Sequence, residues 1–156
     1  MNLYLILKLL HIMSSVVLVG TGFGTAFCLY TVNRTRNLQA IVEVSRLVVL
    51  ADWCFTTPTV IIQPLTGLAM VYMAGWPLTT PWIMWTLALY ALAGICWLPV
   101  VWLQLRLRDM AKAALANGSD LPDQYWRYAK RWEVLGYPAF ISMMVIYYLM
   151  VFKPAP

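Results

Sequence analysis

The sequence predicts an all-α protein, an integral membrane bundle of four transmembrane helices. Three observations lead there. Of the 156 residues, 62% are hydrophobic and 11% are charged, whereas a soluble domain carries about 25% charged residues to hydrate its surface. No charged residue occurs from Leu9 to Asn33 or from Trp53 to Gln104. A helix crossing the hydrocarbon needs about 20 apolar residues. The first gap therefore holds one span, the second about two, and Val134 to Phe152 one more. The expected spans are 3–32, 46–74, 82–105 and 134–152, within a single domain over residues 1–156.

The first span lacks a basic region ahead of its apolar run, and the run outlasts a signal core, so it reads as a retained helix. At 100° per residue, Tyr4, Lys8, His11, Ser15, Leu18 and Gly22 share one stripe. Gly20 and Gly24 form a GxxxG pair roughly opposite His11, which invites close approach of another backbone.

The second span carries a polar stripe. Asp52, Thr56, Thr59, Gln63, Thr66 and Met70 follow spacings of three and four, so they line one face. Such a stripe must face other helices or a cavity. Pro58 and Pro64 free the carbonyls of Cys54 and Val60 to bend the helix or to accept other donors. Arg46 or an arginine of a later link is the expected partner of Asp52.

The third span opens after an uncharged link, where Gly75-Trp76-Pro77 and Thr80-Pro81 mark a tight turn. Asn117-Gly118-Ser119-Asp120 then interrupts a helical link, with Pro122 suited to the start of the next helix. Arg127, Lys130 and Arg131 share one face there. They read as orientation signals and headgroup contacts, with a docking surface as the alternative.

Basic residues decide the orientation. Arg34, Arg36 and Arg46 flank the first link, and six more lie between Arg106 and Arg131. Positive charge stays cytoplasmic, which puts both links inside and both termini outside (N-out/C-out) in a multi-pass protein of the inner, cytoplasmic membrane. The net charge of +5 therefore points to anionic inner-leaflet lipids rather than nucleic acid. A membrane protein partner or a homo-oligomer is a further expectation.

No phosphate loop, Ser/His/Asp set or His/Cys metal spacing is present. Cys28, Cys54 and Cys96 read as small buried apolar residues within the spans. Trp76, Trp82, Trp85, Tyr137 and Tyr147 read as interfacial belt residues.

His11, the only histidine, lies roughly 12 Å below the outer face at 1.5 Å per residue. An ionisable residue in a bilayer suggests function. The competing reading is a neutral imidazole that shares a proton with Ser14, Ser15 or a neighbouring helix. Since the first span runs inward and the second outward, His11 is level with about Thr66 to Met70. Gly67 at that level leaves room for a flat ligand. Haem b suits such a place, with His11 as iron ligand, Met70 as a second ligand, and Lys8 and Lys153 near its propionates.

Three functions follow: a haem-b redox protein on His11, a non-catalytic scaffold or accessory subunit, or a small permease or proton conductor using Asp52 to Gln63. No set of catalytic residues is legible.

The segments LKLLH (7–11), GTGFGTAF (20–27), DWCFTTP (52–58), IIQPLTG (61–67), WLPVVWLQLRLR (97–108), LGYP (135–138) and KP (153–154) carry a resemblance. They resemble an uncharacterised family of predicted four-helix integral membrane proteins. More remotely, the chain resembles the HemJ-type protoporphyrinogen oxidases. The shared features are His11 in its first helix, Glu43, Arg46 and Leu47, then Pro58, Thr66 and Gly67, Trp82, and the closing Lys153-Pro154. That resemblance implies haem b at His11. Leu29-Tyr30-Thr31 stands where that family has Pro-Arg and Tyr-His elements, and Thr86 stands where it has a lysine. The resemblance therefore carries a shared helix layout and not the oxidase reaction.

Overall fold

The computed structural model describes residues 2–154, and every regular element among them is helical. Helix α1 (Leu3–Thr35) starts at Asn2, whose side chain accepts the Tyr4 N–H at 3.1 Å. It ends at Arg36, left-handed at φ 58°. Helix α2 (Leu38–Ala51) begins at once, with the Asn37 side chain accepting the Ala40 N–H at 3.1 Å. This helix starts well ahead of the expected position 46. Ile41, Val42, Ser45, Val48 and Val49 sit at helical spacing and are buried, while Glu43 and Arg46 pair with each other at 3.1 Å on the outer face.

A π-helical turn, Asp52–Thr56, joins α2 to α3 (Thr57–Met73). Pro58 cannot donate to the Cys54 carbonyl, and just before it the ladder lengthens, with the Thr57 N–H reaching the Asp52 carbonyl. The backbone stays right-handed through both joints. Gly75, at φ 70°, turns the chain towards α4 (Pro81–Ala116). Gly118, at φ 61°, and the extended Pro122 lead into α5 (Asp123–Phe152). The helical link on both sides of residues 117–120 is as expected.

Three helices among the described residues, α1, α4 and α5, are long and apolar enough to cross a membrane. At 33, 36 and 30 residues, each exceeds the length that about 30 Å of hydrocarbon requires. α4 and α5 extend past the expected spans into the basic link.

α4 packs along α5, and α1 packs along α3. The main hydrophobic core joins the pairs at the basic end, where Leu29, Ile41, Leu107, Ala111 and Tyr125 are completely buried. The Tyr125 hydroxyl donates to Asn33 Oδ1 at 2.7 Å and ties α5 to the end of α1. Towards the other end a smaller apolar cluster sets Val71 of α3 against Trp82, Ile83 and Leu149, and two hydrogen bonds join the pairs between the clusters. The Tyr90 hydroxyl donates to the Val60 carbonyl at 2.7 Å, and the Tyr147 hydroxyl donates to the Ser15 carbonyl at 3.2 Å. The carbonyl that Pro64 frees is thus the one Tyr90 uses.

Several expectations need correction. Among the described residues, the neighbouring backbone of α1 aside, no heavy atom lies within 4 Å of a Cβ built on Gly20 or Gly24, so no other helix packs closely on the GxxxG pair. Trp82 is buried under Lys153, whose ammonium lies 5.6 Å from its ring, and Tyr147 is half-buried, so neither belongs to an exposed belt. Cys28 and Cys54 face outward, and only Cys96 is buried.

Candidate functional site

The imidazole of His11 crosses from α1 to α3, with Nδ1 2.9 Å from Thr66 Oγ1. The Thr66 hydroxyl has one proton, and the Ile62 carbonyl lies 2.7 Å away in its own helix. With that proton donated to the carbonyl, Thr66 can only accept from His11. On that assignment Nδ1 carries the imidazole proton and Nε2 the lone pair. The Gln63 carbonyl also faces the ring, and it too can only accept.

Gly67 explains how the ring fits. A Cβ there would stand 3.1 Å from His11 Cε1, 3.7 Å from Nδ1 and 4.0 Å from Nε2. The missing side chain leaves a seat for the imidazole itself. The space that the sequence reading assigned to a flat ligand is filled by His11.

One turn along, Ser14 Oγ donates to Gln63 Oε1 at 2.7 Å. Ser15 Oγ donates to the Ile12 carbonyl at 2.8 Å, so neither serine hydroxyl bonds the imidazole.

Asp52, Thr56, Thr59, Gln63 and Thr66 are all buried. The stripe divides by partner. Gln63 and Thr66 bond across to α1, whereas Thr59 donates to the Phe55 carbonyl at 2.6 Å and Thr56 donates to Asp52 Oδ1 at 2.9 Å. No arginine reaches Asp52, because Arg46 is paired with Glu43. Its neighbour is Gln104 of α4 instead. Asp52 Oδ2 has no hydrogen-bond partner.

Met70 lies one turn beyond Thr66 and is half-buried, while Lys8 faces outward one turn before His11. A cavity of about 470 Å³ lies between α1, the π turn, α4 and α5, and none of His11, Gly67, Met70 or Lys8 lines it. Its polar lining includes Asp52, Tyr90, Gln104 and Trp132. Sequence reasoning singled out only Asp52 of these. A lone amide at Gln104, closing an otherwise apolar span, was the available signal.

Among the described residues no three His, Cys, Asp or Glu side chains gather as a metal site. A haem would depend on one protein nitrogen and its supports. A neutral imidazole with its lone pair on Nε2 fits the chemistry of such a ligand, since iron-bound histidines donate their other N–H to a fixed acceptor.

No curated protein and no solved structure matches the chain. The description "predicted integral membrane protein (DUF2269)" matches residues 5–154, nearly the whole sequence. The apolar helices agree with it, and the chain belongs to the DUF2269 family of predicted integral membrane proteins.

Proposed function

We propose that this chain is a four-span protein of the inner membrane, both termini outside, that carries haem b on His11 in a redox role. The π turn and α3 continue α2, and the run they form supplies the fourth crossing in this reading. The single observation that carries the haem assignment is the 2.9 Å contact between His11 Nδ1 and Thr66 Oγ1, read as Nδ1–H donating to a hydroxyl whose own proton goes to the Ile62 carbonyl. Ligation through Nε2 needs that arrangement. Gly67 seats the ring; a bound haem would take His11 as its nitrogen ligand, with the Met70 thioether as a candidate further ligand and Lys8 as a cation for a propionate. Haem supplies one-electron transfer when bound. The protein's own part is to hold one nitrogen neutral and aimed, within apolar surroundings that exclude water. The remote resemblance to HemJ-type proteins points the same way.

The second reading is a non-catalytic scaffold. The His11–Thr66 and Ser14–Gln63 bonds favour it, because they join α1 to α3 whether or not a ligand is present. One experiment separates the two readings. Oxidised and reduced spectra of the detergent-purified protein should be compared for wild type, His11→Ala and Met70→Leu at matched folding. A haem spectrum lost only in His11→Ala indicates a five-coordinate site, and a further change in Met70→Leu indicates His/Met ligation. Absence of haem from the wild type, or full retention in His11→Ala, leaves the scaffold.

A further inference from the structure

The 470 Å³ cavity does not end in the apolar bundle. A second space of about 360 Å³ opens at the basic end, and Tyr30, Trp132 and Glu133 line both. Polar atoms left without a partner line the larger cavity, one of them on Trp132, which both spaces share. Asp52 Oδ2, Gln104 Oε1 and Trp132 Nε1 have no hydrogen-bond partner. Their residues are 5%, 6% and 6% exposed, and all three line the larger cavity. Buried polar atoms are nearly always satisfied. Asp52 and Gln104 are neighbours, and turning over the Gln104 amide sets its N–H against the carboxylate; the orphan that asks for an outside partner is the Trp132 Nε1–H, a donor in need of an acceptor.

The smaller space supplies charge. Arg34 and Arg36 line it, and neither pairs with a carboxylate among the described residues. Lys130 and Glu133 also line it but are 3.3 Å apart and largely neutralise each other. Arg36 lies over the Trp126 ring at 3.9 Å. Stacking fixes the guanidinium plane and leaves its N–H edges for an anion.

Further into the bundle the lining is apolar, and three glycines help to open it. Gly22, Gly94 and Gly136 line the cavity, and a Cβ at each would meet nothing within 4 Å.

The order is thus unpaired guanidinium groups, then the orphaned Trp132 donor where the two spaces meet, then an apolar hollow. That is the order of phosphate, ester and acyl chain in a phospholipid. The geometry points to a built site for one anionic phospholipid, drawn from the leaflet on the Arg34 side. Its phosphate meets Arg34 and Arg36, an ester carbonyl accepts from Trp132 Nε1, and an acyl chain fills the cavity. The inference is independent of haem, because His11 lines neither space.

The test is native mass spectrometry of the full chain in mild detergent, titrated with phosphatidylglycerol, phosphatidylcholine of the same chains, or inorganic phosphate. Wild type should retain one phosphatidylglycerol per chain, at least about tenfold more tightly than phosphatidylcholine, from the charge-assisted contacts. The double variant Arg34→Gln/Arg36→Gln should lose that preference. Gly94→Leu should lose retention of both lipids, and since leucine favours a helix over glycine, circular dichroism should show it folded. Equal retention of the two lipids by wild type overturns the proposal. So does unchanged retention in folded Gly94→Leu. If inorganic phosphate alone displaces phosphatidylglycerol, the site takes a free anion and the lipid assignment fails.

Discussion

At the scale of single residues, His11 is defined by what Thr66 cannot do. A hydroxyl whose only proton is held by the Ile62 carbonyl at 2.7 Å has no proton for a ring nitrogen. Because His11 is the only histidine, its two nitrogens give two unambiguous signals in a ¹⁵N-histidine NMR spectrum. At alkaline pH wild type should show protonated Nδ1 and bare Nε2, and Thr66→Val should shift the population towards protonated Nε2. A wild type already protonated at Nε2 would refute the assignment. Gly67→Ala tests the seat. The added methyl would meet Cε1 at 3.1 Å, while alanine gains about 1 kcal/mol over glycine in helix propensity. The imidazole can give by a few tenths of an ångström, so these effects nearly cancel. Thermal stability should change by less than about 1 kcal/mol, whereas the Nδ1 signal should move as the bond to Thr66 lengthens.

At the scale of helices, the prolines of the Asp52–Met73 run do different work. Pro58 sits at the start of α3, directly after the π turn. Pro64 leaves the Val60 carbonyl for Tyr90, a contact between helices that otherwise touch little. Tyr90→Phe should therefore lower stability by about 1 kcal/mol, the net value of one hydrogen bond. In a Pro64→Ala background the helix regains an N–H for that carbonyl, and the same substitution should cost clearly less. Equal costs in thermal unfolding of the two backgrounds would mean that Tyr90 acts through packing alone. Half of this contact was legible in the sequence. A proline announces its orphaned carbonyl four residues back, but no local signal names a donor 30 residues away. The early start of α2 is legible too, in the apolar spacing from Ile41 to Val49, but Glu43 and Arg46 interrupt it, and charges in an apolar run ordinarily mark the end of a span. Trp132 was out of reach, since its importance lies in a partner it lacks in three dimensions.

At the scale of the whole molecule, orientation follows from charge. Both basic links lie at one end of the helices and the uncharged turn around Trp76 lies at the other. In a cysteine-free background, a membrane-impermeant thiol reagent applied from outside should label Trp76→Cys and leave Asn117→Cys untouched. The reverse pattern would invert the protein. The helix pairing itself, α1 with α3 and α4 with α5, could not be read from hydropathy: the polar stripe marks a face of the Asp52–Met73 run that meets other helices but not which ones, and α4 and α5 are apolar on both their lipid and helix faces.

The core at the basic end has a consequence for how this protein comes apart. On the expected span limits Ala111 and Tyr125 stand outside the hydrocarbon, and they are completely buried, which makes water rather than lipid the solvent that their packing excludes. That end is held by the hydrophobic effect, which urea weakens. The opposite end is held by van der Waals contacts and a few interhelical hydrogen bonds within hydrocarbon, where that driving force is absent. One chain therefore contains two regimes of stability in series. In vesicles, moderate urea should speed amide hydrogen exchange around Leu107 to Tyr125 while leaving His11 to Leu18 protected, and the molecule should loosen from its wet end inward.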